Sequence, residues 1–341
     1  MTDGDLGASV IVPVLNEEAH IEGSIAAILS QRFERGLEVL VVDGGSDDRT
    51  PEITERLAGE DDRVRILANP GRRIPNALNI GLHAARGEYV VRMDAHTYYP
   101  PDYIARAVER FGGGGVDCVS GPQVPHGEDL WSSRVALALS TPLGIGGASF
   151  RNATTEIEVD TAFTGVWRRS RLLELGGWDE GWPINEDAEL AARIQEAGGR
   201  YVCIPEMAAR YVPRRSLSGL ALQYWRYGMY RAKTARHHPT ALRRSHVLPP
   251  FLALVLAAAV LAPGRAGHLA RRALLLYGGT VTVGTAQAAR DGGDARDWVW
   301  IPVVFAVMHL SWGAGFLAGC ARFGTPVAAV ARLLGASRGH A

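Results

Sequence analysis

The sequence predicts an α/β protein: a mostly parallel sheet with helices on both faces, followed by an α-helical membrane region. Three observations predict it. Across the first 206 residues, short apolar runs alternate with helical periods, as expected for strands buried on both faces of a sheet. Polar clusters recur where those runs end, and ligands of such sheets bind beyond the carboxyl ends of the strands. Charge also splits along the chain: residues 1–206 carry 19 basic and 33 acidic side chains, and residues 207–341 carry 17 and 3.

The elements follow in order. Ser9–Val14 is an apolar run containing Pro13, and Asn16-Glu17-Glu18 opens a helical period through Ile21, Ile25, Ile28 and Leu29. Leu37–Val42 reads as a second buried strand ending at Asp43, and Thr50-Pro51 starts a helix with proline in its first turn. Val64–Leu67 is a third strand, Pro75–Ala85 a third helix and Glu88–Met93 a fourth strand. A further helix opens at Asn185-Glu186-Asp187, after Gly176-Gly177-Trp178-Asp179-Glu180. This α/β domain is expected to span residues 1–208.

From Arg210 to His246 the chain carries nine basic residues and no acid, interleaved with Leu217, Leu220, Leu222, Trp225, Met229 and Tyr230. The pattern predicts one or two basic amphipathic helices, over 209–246, lying on an anionic membrane surface. Three apolar stretches follow, at 247–263, 273–289 and 298–320, within an expected membrane region of 247–323 and before a tail at 324–341. The third carries no charge from Trp298 to Cys320, enough at about 1.5 Å per residue to cross a hydrocarbon core of about 30 Å. Buried helices of a soluble domain are the competing reading. Arg265, Arg271 and Arg272, placed in a loop between the first two stretches, weaken a simple three-span topology. The excess of basic residues before the spans places the preceding domain on the cytoplasmic side of the inner, plasma membrane.

Composition excludes several classes. With 47% hydrophobic and 21% charged residues, the chain is neither wholly disordered nor a coiled coil. Lys233 is its single lysine and has no phosphate-binding loop around it, which argues against a P-loop NTPase and a Schiff-base enzyme. Cys118, Cys203 and Cys320 are scattered, as in a reducing compartment, and form no zinc motif. The acidic, polar N-terminus is no signal peptide. No nucleic-acid motif accompanies the basic tract, so lipid is the expected partner and nucleic acid is not.

Three clusters carry chemistry. In Asp43-Gly44-Gly45-Ser46-Asp47-Asp48, an acid at a strand end precedes two glycines that let backbone approach a flat ligand. A turn with a helix cap is the competing reading. Asp94-Ala95-His96 puts a carboxylate and an imidazole on one side of an extended segment, a pair suited to a divalent ion, with Mn2+ accepting nitrogen better than Mg2+. Glu186-Asp187 at a helix start either complements the helix dipole or takes a proton from an acceptor hydroxyl.

In this order and spacing, the clusters resemble the family 2 glycosyltransferases of the GT-A fold. The matching elements are IVPVLNEE at 11–18, VVDGGSDDRT at 41–50, NPGRRIPNALNIGL at 69–82, VRMDAH at 91–96, GGWDE at 176–180, NEDAEL at 185–190 and QYWRYG at 223–228. VRMDAH and the HLSWGAGFL stretch at 309–317 look most like the succinoglycan-type membrane enzymes of exopolysaccharide synthesis. The resemblance implies that Pro13, Asn16, Glu17 and Asp43 line the nucleotide, with Arg72 or Arg73 near the uracil or diphosphate. It implies that Asp94 and His96 hold Mn2+ or Mg2+, and that Asp187 is the catalytic base beside Glu186. Trp182, Gln223, Trp225 and Arg226 fall on the acceptor and leaving-group side. His96 replaces the second acid of the family's D-x-D, and Gln223-Tyr-Trp-Arg departs from Q-x-x-R-W, so processive synthesis is not implied.

The implied reaction is inverting transfer of a hexose from a UDP-sugar to a polyprenyl-linked glycan. Two alternatives stand beside it: a polyprenyl-phosphate glycosyl synthase, whose acceptor needs less of a base, and a membrane scaffold with an inactive sugar-nucleotide domain.

Overall fold

The computed structural model describes residues 6–146, 149–290, 294 and 296–335. Of the features expected from sequence, Met1–Asp5 of the acidic N-terminus, Asp291 and residues 336–341 of the tail lie outside the described residues. The chain forms two compact units, Met1–Val124 with Ser149–Tyr211, and Pro125–Ala148 with Val212–Ala341. Residues 125–148, expected from sequence within the α/β domain, fall in the second unit.

The strands are β1 (Ala8–Val14), β2 (Leu37–Asp43), β3 (Val64–Ala68), β4 (Tyr89–Arg92), β5 (Thr97–Tyr98), β6 (Cys118–Ser120), β7 (Gln123–Pro125), β8 (Ile157–Val159), β9 (Val166–Arg168), β10 (Tyr201–Cys203) and β11 (Ala209–Tyr211). The first unit holds helices α1 (Ile21–Leu29), α2 (Thr50–Glu60), α3 (Ile74–Ala84) and α4 (Tyr103–Gly112). In the second unit, α5 (Leu130–Leu139) and α6 (Pro142–Ile145) come next. The chain then returns to the first unit for α7 (Arg169–Glu174) and α8 (Glu186–Glu196). The remaining helices, α9 (Leu217–His237), α10 (Leu248–Leu261), α11 (Gly264–Arg290), α12 (Asp297–Phe323) and α13 (Val327–Leu333), belong to the second unit.

In the first unit an eight-stranded sheet runs β3-β2-β1-β4-β9-β6-β10-β8, and β5-β11-β7 form a smaller one. β1 to β4 are parallel, as expected, whereas β9 lies antiparallel between β4 and β6 and β8 antiparallel on β10. Alternate residues of the central strands face opposite sides. Val10, Val12, Val39 and Val41 join Ile21, Ile25 and Phe111 in one buried cluster. On the other side Ile11 meets α3 at Gly81, where an added Cβ would lie 2.6 Å from the isoleucine.

Strand order reverses between β1 and β4, because β2 and β3 lie on one side of β1 and β4 on the other. Such a switch point opens a crevice at the carboxyl ends. The pairing of β1 with β4 stops at Ile11 and Arg92. Pro13 lies beyond that last pair, so its missing N–H costs the ladder nothing and the strands part there.

The first helix begins at Ile21 and not at Asn16, because residues 16–18 are engaged elsewhere. Asn16 adopts a left-handed conformation with φ 58°. Proline at N1 or N2 opens both α2 and α3, as Pro51 and Pro75 predict.

In the second unit, Arg244–Leu261 and Asp297–Phe323 are long and apolar enough to cross a membrane, by length and composition. The stretch expected at 273–289 is not a third such segment. It belongs to α11, whose early turns carry Arg265, Arg271 and Arg272, so these arginines are helical and not in a loop. Helix α9 is not simply a surface helix either, since it packs on α12 through glycines. A Cβ added at Gly315 would overlap the Trp225 carbonyl oxygen, one at Gly319 that of Met229, and one at Gly228 that of Trp312. The 125–148 segment docks here too, with Arg134 Nε on Asp297 Oδ1 at 2.8 Å and Trp131 edge-on to Trp300.

Candidate active site

Two loops close one side of the crevice and staple each other. The Asn16 N–H donates to Ser46 Oγ at 2.9 Å, and the Asp47 N–H donates back to Asn16 Oδ1 at 2.9 Å. The Glu17 N–H donates to Thr50 Oγ1 at 2.8 Å, and the Glu18 N–H to Asp48 Oδ2 at 3.1 Å. Asp43 accepts from Ser46 Oγ at 2.6 Å. Asp48 Oδ1 also accepts from the Thr50 N–H at 2.9 Å. The turn reading of the 43–48 segment therefore describes its hydrogen bonds, while the cap of α2 falls on Arg49, which makes no side-chain cap hydrogen bond. It places the Glu17 side chain at the β1 end and fixes the Asp43 carboxylate at the β2 end.

At the end of β4, the VRMDAH segment puts Arg92 and Asp94 on the same side, two residues apart in extended chain. Arg92 is 1% exposed and Asp94 7% exposed. Arg92 Nε donates to Asp94 Oδ1 at 2.9 Å and Nη2 to Oδ2 at 3.3 Å, so both oxygens expected to face a ligand face the guanidinium. Arg92 Nη1 donates to Glu186 Oε1 at 2.9 Å, and the guanidinium lies over the Phe163 ring. The Asp94 N–H donates to the Tyr99 hydroxyl at 3.0 Å. The sequence pattern points to Asp94 and passes over Arg92. Its one signal is a lone charge in an otherwise apolar strand.

Glu186 is 5% exposed. Burial pushes its carboxyl up to about 7 against the opposing pull of Arg92, with the Asp187 charge adding to the rise. Against its own desolvation, the Arg92 guanidinium is held firmly charged by the Asp94 and Glu186 carboxylates. Asp187, next along, is only partly buried and accepts from the Ala188 N–H at 2.8 Å. The preceding Asn185 sits at φ 62°. Asn16, Arg72 and Asn185 are the three described non-glycine residues with positive φ, and each precedes or lies in one of the expected site segments. Strain of this kind costs on the order of 1 kcal/mol per residue and gathers at functional sites.

Arg72 and Arg73 are exposed in the turn before α3, and no ion pair of either occurs among the described residues. Helix α3 holds the GGWDEG loop, a contact the sequence reading did not include. Asn79 Nδ2 donates to the Trp178 carbonyl at 2.8 Å and the Trp178 N–H donates to Asn79 Oδ1 at 2.9 Å. Asn76 Nδ2 donates to Glu180. Trp182, at the end of this loop, is buried, and its N–H donates to the Asp179 carbonyl at 3.0 Å.

His96 lies beyond Asp94 with its side chain 43% exposed, and its Nδ1 is 3.2 Å from Glu17 Oε1. Among the described residues, no three His, Cys, Asp or Glu side chains gather into a metal-binding cluster. Gln223, Trp225 and Arg226 lie on α9 in the second unit. There Gln223 donates to the Tyr227 hydroxyl at 3.0 Å, and Trp225 and Arg226 are exposed.

Comparison with known proteins adds to this geometry. The family model described as Glycosyl transferase family 2 matches residues 9–174. The succinoglycan biosynthesis protein ExoA of Rhizobium meliloti (strain 1021) is 34% identical over 317 residues, covering 90% of this chain and 93% of its own length. A dolichyl N-acetyl-alpha-D-glucosaminyl phosphate 3-beta-D-2,3-diacetamido-2,3-dideoxy-beta-D-glucuronosyltransferase of Methanococcus voltae is 24% identical over 240 residues, 64% of this chain and 71% of its own. Among solved structures, the mannosyltransferase PcManGT from Pyrobaculum calidifontis, in complex with GDP-Man and Mn2+, superposes with a TM-score of 0.61 at 24% identity. That match covers 92% of this chain and 86% of the other, and it shows the GT-A fold.

Proposed function

The chain belongs to glycosyltransferase family 2 and is a glycosyltransferase of exopolysaccharide type; from that premise we propose that it moves a hexose, with inversion, from a nucleoside diphosphate sugar, UDP-linked in our reading, to a hydroxyl of a lipid-linked glycan. The observation that carries the proposal is the side-chain cluster at the β1/β4 switch point. There the buried Arg92 ties Asp94, on the nucleotide side, to Glu186, beside the expected base.

In this reading Asn16, Glu17, Asp43 and Pro13 shape the nucleotide end, and the exposed Arg72 and Arg73 meet the diphosphate. The acceptor oxygen attacks the anomeric carbon, the bond to the diphosphate breaks, and Asp187 takes the hydroxyl proton. Asp187 suits that role because it is the less buried of the two acids, whereas Glu186 is committed to Arg92. Trp182, next to the loop clamped by α3, lies on the acceptor side.

A divalent ion is implied by the family, and PcManGT holds Mn2+. When bound, such an ion neutralises the leaving diphosphate. The implied pair of Asp94 and His96 does not fit that role as it stands, because Arg92 occupies both Asp94 oxygens.

The lipid-linked acceptor is supported by the Methanococcus voltae relative, whose name describes a dolichyl-linked acceptor, and by the two apolar segments. We place the catalytic unit on the cytoplasmic side of the inner membrane, where the basic α9 meets lipid. The test is a panel of labelled nucleotide sugars given to membranes containing the protein, with the lipid extract examined. Label in the extract from one donor, lost in Asp187→Asn by about 10²–10⁴-fold while nucleotide binding persists, is the expected result. Near wild-type transfer by Asp187→Asn removes the base assignment and favours a phosphate acceptor.

A further inference from the structure

One face of α3 touches two loops of the first unit. Asn76 and Asn79 are three residues apart on the helix, so their side chains leave it on the same side. Asn79 and Trp178 exchange a reciprocal pair of hydrogen bonds: Nδ2 donates to the Trp178 carbonyl at 2.8 Å, and Oδ1 accepts from the Trp178 N–H at 2.9 Å. Asn79 Nδ2 also donates to Glu180 Oε1 at 3.1 Å, and Asn76 Nδ2 donates to Glu180 Oε2. Asn76 packs as well against the turn before α3, where a Cβ added at Gly71 would come to 2.8 Å from its Cγ. Arg72 and Arg73 leave the chain from that turn.

The loop is also held by α8. Arg193 donates to the Leu175 carbonyl at 2.8 Å and to the Gly177 carbonyl at 2.7 Å. Gly177 sits at φ 72°, and a Cβ there would come to 2.5 Å from Asn79 Oδ1, so the turn is shaped to the amide. Beyond Glu180 the chain is closely tied: the Gly181 N–H donates to Asp179 Oδ1 at 2.7 Å, and the Trp182 N–H to the Asp179 carbonyl at 3.0 Å. The grip on Glu180 therefore passes directly to the buried Trp182. The expected base is anchored separately, because its neighbour Glu186 is held by Arg92.

We propose that Asn76 and Asn79 are positioning residues for the acceptor: by gripping Glu180 and Trp178 they fix the loop that carries Trp182. The inference rests on the transferase reading above, with Trp182 on the acceptor side. It divides the work by residue. The amides of α3 set where the acceptor hydroxyl lies, and Arg92 sets the acids. A misplacement of about 1 Å in a reacting geometry costs on the order of 10²-fold. That loss falls on transfer to the glycan and not on attack by water, which needs no such seat.

The test uses the full chain in detergent, with the nucleotide sugar that labels the lipid extract as donor and that extract as acceptor. Transfer is followed against acceptor concentration, and hydrolysis of the donor without acceptor is measured alongside. Asn76→Ala and Asn79→Ala should each lower kcat/KM for the acceptor by about tenfold or more, while the donor KM and the hydrolysis rate stay near wild type. Asn76→Asp sets two carboxylates against each other and should lose as much. Adding Glu180→Gln to it restores the hydrogen bond with donor and acceptor exchanged, and should recover most of the transfer. Hydrolysis that falls in step with transfer, or a double variant no better than Asn76→Asp, overturns the positioning role and leaves the transferase reading intact. Unaltered acceptor kinetics in both alanine variants do the same. Wild-type protein that neither transfers from nor hydrolyses any nucleotide sugar of the panel overturns both.

Discussion

The Arg92 guanidinium donates to Glu186 Oε1 at 2.9 Å, joining residues 94 apart in the chain. The same guanidinium holds Asp94, so one buried cation serves two buried acids. Replacing it leaves both carboxylates without a counter-charge. Arg92→Met should lower stability by about 3–5 kcal/mol. Adding Glu186→Gln and Asp94→Asn to Arg92→Met should recover part of that loss in denaturant melts. Additive losses across the set would show that the three side chains do not act as a unit.

Stability should also carry a pH signature of Glu186. In the folded protein its carboxyl is raised to about 7 from an ordinary value of 4.5. Between those values the folded state holds a proton that the unfolded chain has released. Stability therefore falls as pH rises through this window, by at most about 1.4 kcal/mol per pH unit for one proton. Glu186→Gln should flatten that slope between pH 5 and 7 in thermal melts, relative to wild type. An unchanged slope would assign the titration to another group.

The clamp of α3 on the GGWDEG loop should be sensitive at both ends. Asn79→Ala leaves the Trp178 N–H and carbonyl without their partner and should cost about 1–3 kcal/mol. Gly177→Ala strains a residue at φ 72° and brings a Cβ to 2.5 Å from Asn79 Oδ1. It should therefore melt lower than Gly176→Ala, at φ 79° with open space around it. Equal melting of the two glycine variants would show that backbone strain, and not the clamp, sets the cost.

The α9–α12 seam depends on bare backbone. Gly315→Val pushes a side chain into the Trp225 carbonyl, whereas Gly278 on α11 has nothing within 4 Å of an added Cβ. Overpacking costs of about 1–3 kcal/mol are expected at Gly315 and little at Gly278. Protease susceptibility of α9 in detergent should rise only in the first variant.

Local signals placed the parallel strands, because a run such as LEVLVV is too apolar for any other position in a soluble sheet. They also placed the starts of α2 and α3, because proline at a helix N-terminus fixes φ without costing a hydrogen bond. The ordered polar clusters marked the strand ends for the same reason: a chain leaving a buried strand must turn, and its polar groups gather there. From them the family and the chemistry at issue could be read.

Distant partners were beyond such signals. Asp94 reads as an open ligand until Arg92 is seen filling it, and Asn16-Glu17-Glu18 reads as a helix start until Ser46 to Thr50 take its hydrogen bonds. The glycines of QYWRYG and SWGAGFL give no hint that α9 lies on α12, and LWSSRVALAL gives none that it joins the C-terminal helices through Asp297. Periodicity says which face of a segment is buried, and charge says which groups need a counter-charge. Which residue supplies the other side of each contact is decided only when the chain closes on itself, because desolvation penalises every buried charge that has not found its partner.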